Sequence, residues 1–159
     1  MPVAVTLRPT RWPEDESFLR ELYASTRAEE LAQVPWSEEQ KAQFCAMQFT
    51  AQHHHYEKYY PEASRHIIEH GTVPAGRLYV DRTPQEIRIV DISLLPAHRG
   101  AGVGTKLLRG LQDEAALAGK ALSIHVEKFN PALGLYQRLG FQVREDKGVY
   151  LLMEWRAAG

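Results

Sequence analysis

The chain has 159 residues, a length that predicts a single domain over residues 1–159 with a sizeable hydrophobic core. Apolar residues make up 44% of it and charged residues 25%, which is ordinary for a water-soluble globular protein. The formal net charge of −1 provides no overall positive field, so we expect neither nucleic acid nor an anionic membrane as a partner.

The first half of the chain predicts a strand, two helices and two more strands. Val3–Leu7 has the short alternating pattern of a strand, and apolar residues recur at helical spacing after Pro13. Ser37 is placed to cap a second, longer helix, which Pro61 limits. Two strands are then expected at residues 66–69 and 77–80, joined by a turn over residues 71–76.

The fourth predicted strand, residues 86–95, changes its pattern midway. Its apolar residues occupy first odd and then even positions: Ile87, Ile89, Val90, Ile92 and Leu94. Either both faces of the strand are buried, or a bulge near Val90 shifts its register. Pro96 ends the strand because proline has no amide hydrogen for the ladder.

The second half predicts two helices and three strands. One helix runs from Gly102 to Gly119, and a buried strand follows at residues 122–126. Asn130 and Pro131 predict the start of the last helix, with Asn130 as its cap. The last two strands are expected at residues 141–144 and 149–155. We therefore predict a mixed α/β (α+β) domain in which helices cover one sheet.

A glycine-rich turn, HRGAGVGT, separates the fourth predicted strand from the next helix. Gly100, Gly102 and Gly104 leave the backbone bare, so that an anion can approach the amides of a helix N-terminus. Arg99 and Thr105 add a charge and a hydroxyl. The order Gly-Thr-Lys does not fit a Walker loop, and a dinucleotide fingerprint would need a third glycine at Thr105. The alternative is that these glycines only pack a tight turn.

The glycine-rich turn contains the motif Arg99-x-x-Gly102-x-Gly104. About thirty residues later a second motif follows: Asn130-Pro131 and then Leu135-Tyr136-x-x-Leu139-Gly140-Phe141. Together these motifs resemble the GNAT superfamily of N-acetyltransferases. The resemblance implies a central, mostly antiparallel sheet with splayed middle strands and flanking helices. It also implies acetyl-CoA as co-substrate and direct acetyl transfer to a primary amine of a small molecule or a protein. A catalytically silent acyl-CoA sensor and a partner-binding domain of the same fold are the alternatives.

The resemblance also assigns cofactor contacts. The pyrophosphate is expected on the backbone of the turn, which comprises Arg99, Gly100, Ala101, Gly102, Val103, Gly104 and Thr105. Leu94 and Leu95, at the end of the preceding strand, are expected to pair with the pantetheine arm like an added strand. Asn130 is expected to contact the cofactor, to cap the last helix, or to do both.

Acetyl transfer to an amine needs a base for the amine proton and an acid for the leaving thiolate. The resemblance places the acid at Tyr136, although helical spacing alone favours a core aromatic there. Asp91 is the candidate base because it is a carboxylate inside an apolar strand, and a structural hydrogen bond is its alternative role. Glu127 is a second candidate base, and an ordered water is a third.

The run His53-His54-His55 does not predict a metal site, because successive helical side chains point about 100° apart. We therefore expect no metal. One stripe of the second helix either lines the acceptor pocket or packs the helix: Gln52, His53, Tyr56 and Tyr60. Glu29, Glu30 and Trp36 suit a cationic amine, or they belong to a solvated acidic face.

The sequence also bears on location. Cys45 is the only cysteine, so no disulfide forms within this sequence. The first residues lack the pattern of a signal peptide, and the longest nearly apolar stretch is shorter than the roughly 20 residues of a membrane helix. We therefore expect a cytoplasmic protein, and the resemblance makes a homodimer one option.

Overall fold

A computed structural model describes residues 4–158 as one seven-stranded sheet with four α-helices. The elements are β1 (Val5–Pro9), α1 (Glu16–Ala32), α2 (Glu38–Tyr59), β2 (Ser64–His70), β3 (Val73–Arg82), β4 (Glu86–Leu94), a 3₁₀ turn (Pro96–His98), α3 (Val103–Ala118), β5 (Ala121–Glu127), α4 (Leu133–Arg138), β6 (Gln142–Asp146) and β7 (Tyr150–Trp155). The strand order is β1-β2-β3-β4-β5-β7-β6, and only β4 and β5 are parallel.

Two helix ends follow the sequence signals. Ser37 caps α2 through a complete capping box, in which its hydroxyl accepts the Gln40 amide and the Gln40 side chain accepts the Ser37 amide. Gly119 ends α3 in the left-handed conformation, with φ of 66°. These ends confirm the predicted starts and stops, because each depends on local chemistry that one or two residues supply.

Two other predictions were wrong. Asn130 does not cap α4, because its Oδ1 accepts the amide of Ala132 and closes a turn before the helix begins at Leu133. The turn predicted over residues 71–76 is also too long, since β2 ends at His70 and β3 begins at Val73. β3 has a bulge where it pairs with Ile68 and Glu69 of β2. The alternation of side chains is therefore irregular there, and the sequence does not show where β3 begins.

The sheet separates two hydrophobic cores. The larger core lies on the face covered by α3 and α4, and it includes Leu108, Leu122 and Met153. The smaller core joins α1 and α2 to the opposite face through Leu19, Phe49 and other buried residues of the same cluster. Of the 22 residues of α2, only Phe49 is fully buried, so this long helix depends on few apolar contacts.

A bulge at Val90 reverses the two faces of β4. Tyr79 of β3 pairs with Asp91 and the next residue, Val80, pairs with Ile89, so that Val90 has no partner in the ladder. Before the bulge Ile89 faces the larger core, and after it Asp91 faces α2. This confirms the bulge as the cause of the change of pattern in the sequence.

A gap in the middle of the sheet begins at the bulge at Val90. β4 and β5 pair only from Glu86 opposite Ala121 to Ile89 opposite Ile124. Beyond Ile89 the two strands continue without pairing to each other, while β5 stays paired with β7 as far as Glu127. The predicted splay of the middle strands is therefore present. Within residues 4–158 no helix combines the length and apolarity needed to cross a bilayer.

Gly76 offers a test of how closely β3 and β4 approach beside this gap. A Cβ atom at Gly76 would overlap the backbone carbonyl oxygen of Ser93, which only a backbone shift can relieve. We predict that Gly76→Ala costs about 3 kcal/mol or more in the free energy of unfolding, measured by urea denaturation. Gly110→Ala is the control, because its Cβ has open space in α3 and should stabilise the helix by about 0.5–1 kcal/mol. Equal stabilities for the two variants would contradict the close approach.

Candidate active site

The glycine-rich turn has the geometry of an anion site. Gly100 and Gly102 adopt φ of 76° and 80°, which L-residues with a side chain rarely adopt. Gly102 is the N-cap of α3, and within the described residues 4–158 no side chain caps this end. Because the first amides of a helix have no acceptor inside it, those of Val103 to Thr105 remain available to a phosphate.

At the end of β4 the backbone groups of Leu94 and Leu95 face different neighbours. The Leu95 amide donates to Ala75 of β3 at 2.8 Å, and the Leu95 carbonyl accepts the His98 amide at 2.9 Å. Both backbone groups of Leu95 are therefore engaged. Strand alternation turns the backbone of Leu94 away from β3, toward the gap. There the Leu94 carbonyl accepts Nε of Arg99 at 3.0 Å, which fixes the start of the turn.

Tyr136 lies in the larger core. It is 4% exposed and packs edge-on against Phe141, with ring centroids 5.6 Å apart. Burial raises the pKa of Tyr136 well above its ordinary value, and the negative charge of Asp91 raises it further. The hydroxyl therefore keeps its proton at neutral pH. Tyr136 belongs to the core on the α3 and α4 side of the sheet, whereas Asp91 faces α2 on the other side.

Asp91 is the centre of a buried polar network. Its Oδ2 accepts Nη2 of Arg77 at 2.6 Å and the hydroxyl of Tyr56 at 2.8 Å, while its Oδ1 accepts the hydroxyl of Ser93 at 2.7 Å. The side chains of Arg77 and Asp91 are only 5% and 9% exposed. Burial, then the negative charge of Asp91, raises the pKa of Tyr56 far above its ordinary value, so the phenol remains a donor.

Arg77 is the member of this network that the sequence analysis missed. Its guanidinium lies 5.1 Å from the ring centre of Tyr79 and 5.7 Å from that of Tyr56, and it also donates to Gln52 of α2. An arginine inside an otherwise apolar strand was the available signal. The sequence does not show that Asp91 is the partner of this arginine, because Ser93 and not Asp91 lies directly opposite Arg77 in the ladder.

The residues expected at the acceptor pocket separate into groups. Gln52 and Tyr56 contact the Asp91 network. His53 instead stacks on Trp12, with ring centroids 4.3 Å apart, and pairs with Glu57. Trp36 packs against Phe44 near the opposite end of α2. The rise of about 1.5 Å per residue separates Phe44 from Gln52 and Tyr56 by roughly 12–18 Å along the helix, so Trp36 lies away from the network.

The remaining candidates lie outside the network. Glu127, at the end of β5, is 3.6 Å from Nη1 of Arg27 of α1, which also pairs with Glu30 at 3.0 Å. Asn130 is exposed, and its side-chain oxygen is already bonded to Ala132. Among residues 4–158 no cluster of three or more histidine, cysteine, aspartate or glutamate side chains is arranged to hold a metal ion.

The ion pair predicts an asymmetric mutational effect. Arg77→Met leaves the Asp91 carboxylate buried without its cation, so we expect a loss of about 3–5 kcal/mol in the free energy of unfolding. The double variant Arg77→Met/Asp91→Leu should recover most of that loss, because it removes both charges together. Arg82→Met on the same strand is the control: its pair with Glu114 is exposed and should contribute less than about 1 kcal/mol. Additive losses in the double variant would contradict the coupling.

Comparison with known proteins identifies the family. The sequence profile of the acetyltransferase (GNAT) family matches residues 14–141. The PaiA N-acetyltransferase of Thermoplasma acidophilum, solved in complex with coenzyme A, aligns over 97% of this chain and 99% of its own, with a TM-score of 0.72 and 16% identity. Naa50 of Arabidopsis thaliana, solved with the bisubstrate analogue CoA-Ac-MVNAL, aligns over 98% and 100% with a TM-score of 0.62 and 17% identity.

A curated relative matches a shorter region more strongly. The mycothiol acetyltransferase of Corynebacterium glutamicum strain R is 41% identical over 68 residues, which are 42% of this chain and 23% of that protein. The chain thus spans about a quarter of the length of that relative. The solved structures confirm the predicted fold, with its splayed and mostly antiparallel sheet, and the profile spans most of the domain. The chain belongs to the acetyltransferase (GNAT) family.

Proposed function

We propose that this protein transfers the acetyl group of acetyl-CoA directly to a primary amine. The observation that carries the proposal is the uncapped N-terminus of α3, which opens beside the gap between β4 and β5. A pyrophosphate bound to those amides would leave the pantetheine arm directed into the gap. Coenzyme A in the T. acidophilum structure, and acetyl-CoA in a GNAT acetyltransferase of Elizabethkingia anophelis, support this choice of co-substrate.

The cofactor contacts follow from which backbone groups are free. Arg99 to Thr105 hold the pyrophosphate, with Gly102 and Gly104 permitting its close approach. The backbones of Leu94 and Ile92 point into the gap, so the Leu94 amide and the backbone of Ile92 pair with the pantetheine arm as an added strand, while the Leu94 carbonyl stays with Arg99. Leu95 contributes its side chain only, because its amide and carbonyl are engaged. Asn130 contributes its amide nitrogen, since its oxygen is bonded to Ala132.

The acceptor arrives as an ammonium and gives up one proton on the side of Asp91. The neutral nitrogen then attacks the thioester carbonyl carbon, the carbon–sulfur bond breaks, and Tyr136 gives its hydroxyl proton to the departing thiolate. The second proton of the nitrogen, released as the amide forms, restores Tyr136. Because α2 supplies Gln52 and Tyr56 to that side, the acceptor enters there and the cofactor enters from the side of α3. A panel of primary amines, assayed by release of the coenzyme A thiol, tests the activity.

The cofactor site predicts the effect of one methyl group. A Cβ at Gly104 meets nothing in the protein closer than Leu135 Cδ2 at 3.9 Å, so Gly104→Ala should fold normally and obstruct only the bound pyrophosphate. We expect coenzyme A to bind at least tenfold more weakly, about 1.4 kcal/mol, by calorimetry. Gly110→Ala, in the same helix but away from the turn, should bind normally. Unchanged affinity for coenzyme A in Gly104→Ala would contradict the binding of the pyrophosphate at this turn.

Tyr136→Phe tests the acid. The substitution keeps the buried ring and its packing on Phe141 but removes the transferable proton. We expect kcat to fall roughly 10²-fold, at the low end for general acid catalysis because a thiolate leaves readily, with little change in cofactor affinity. Phe141→Leu serves as the control, since it loosens the same packing and keeps the proton. A matching loss of kcat in both variants would make Tyr136 a packing residue.

A further inference from the structure

The two oxygens of Asp91 have unequal surroundings. Oδ2 is held by two donors that do not move easily, the guanidinium of Arg77 and the phenol of Tyr56. Oδ1 has one donor, the hydroxyl of Ser93, at 2.7 Å. Since Oδ2 accepts two hydrogen bonds and Oδ1 only one, Oδ1 is the oxygen with room for a further proton, and Ser93 is bound to it.

Ser93 is placed to receive a proton from the amine. It follows the bulge, on the part of β4 that pairs with β3 but no longer with β5, and it faces α2 and is only partly buried. Because its hydroxyl hydrogen points to Asp91, its oxygen presents two lone pairs elsewhere. Arg77 lies directly opposite Ser93 in the ladder but donates to Asp91, so the lone pairs of Ser93 are available to the amine of the proposed acceptor.

We propose that Ser93 is a further catalytic residue, which carries the proton of the acceptor ammonium to Oδ1 of Asp91. The inference rests on the proposed acetyl transfer. In this step the nitrogen–hydrogen bond of the ammonium breaks, its proton joins the Ser93 oxygen, and the former Ser93 hydroxyl proton joins Oδ1. The products are a neutral amine with a free lone pair, an unchanged serine and a protonated Asp91, which later returns the proton to solvent.

Arg77 is a positioning residue in this arrangement, because it acts on the substrate only through Asp91. It holds Oδ2 against β3, and this directs Oδ1 to Ser93. The charged and titratable groups around the carboxylate come from three elements: Arg77 and Tyr79 from β3, Tyr56 from α2 and Tyr136 from α4. Since the three phenols all have a raised pKa, each keeps its own proton at neutral pH and takes up no proton from the amine.

The test compares Ser93→Ala with Ser93→Thr, using acetyl-CoA and the primary alkylamine that the wild-type protein acetylates fastest in the panel. At pH 7 we expect kcat of Ser93→Ala to fall roughly 10- to 100-fold, while Ser93→Thr keeps most of the rate because it keeps a hydroxyl. The deficit of Ser93→Ala should shrink steadily toward pH 10, because the neutral fraction of an alkylamine with a pKa of about 10.4 rises several hundredfold from pH 7, and the neutral amine needs no base. Asp91→Asn should show the same recovery at high pH.

The possible outcomes separate the two proposals. A wild-type protein that acetylates no amine overturns the proposed function, and the role of Ser93 fails with it. An active wild type with full activity in Ser93→Ala overturns the role of Ser93 alone. A deficit that stays constant from pH 7 to pH 10 also overturns it, because a merely structural defect has no reason to disappear when the amine becomes neutral. Calorimetric titration with coenzyme A should give equal affinities for all three proteins.

Discussion

The bulge at Val90 is the constraint on which the rest of the site depends. Successive residues of a strand point to opposite faces, so one inserted residue exchanges the two faces for everything that follows. Ile87 and Ile89 face the larger core before the bulge, and Ile92 and Leu94 return to the same face after it. Asp91 is thereby turned toward α2. Without the insertion this carboxylate would lie in the apolar core under α3, where it has no partner.

The Arg77–Asp91 ion pair fixes this register. A slip of one residue in β4 would remove the bulge, but it would also withdraw Asp91 from Arg77 and leave two buried charges unpaired. The same network provides α2 with two polar attachments, through Gln52 and Tyr56, in a helix with little buried apolar surface. The position of α2, the shape of the gap and the placement of the carboxylate are therefore set by one group of contacts.

The features that the sequence predicts are those that depend on residues close together in the chain, whereas contacts between distant residues are harder to predict. Ser37, Gly119 and the glycine turn were predictable because caps and turns depend on neighbouring residues. The bulge was also predictable, as one of two explanations, because it leaves a change of period in the sequence. Arg77 was missed and Asn130 misassigned as a cap, because each depends on contacts that periodicity does not encode: a strand register for Arg77, and a competing turn for Asn130.

The gap between β4 and β5 opens a passage between the two faces of the sheet. Tyr136 belongs to the core under α3 and α4, whereas Asp91 belongs to the network under α2, and a fully paired sheet would separate them completely. Because β4 and β5 part after Ile89, a group lying between the strands is accessible to both. In the proposed reaction, an acid acts at the sulfur from one face and a base acts at the amine from the other. The splay of β4 and β5 is the feature of the sheet that this arrangement requires, because it leaves room between the strands for a ligand from each side.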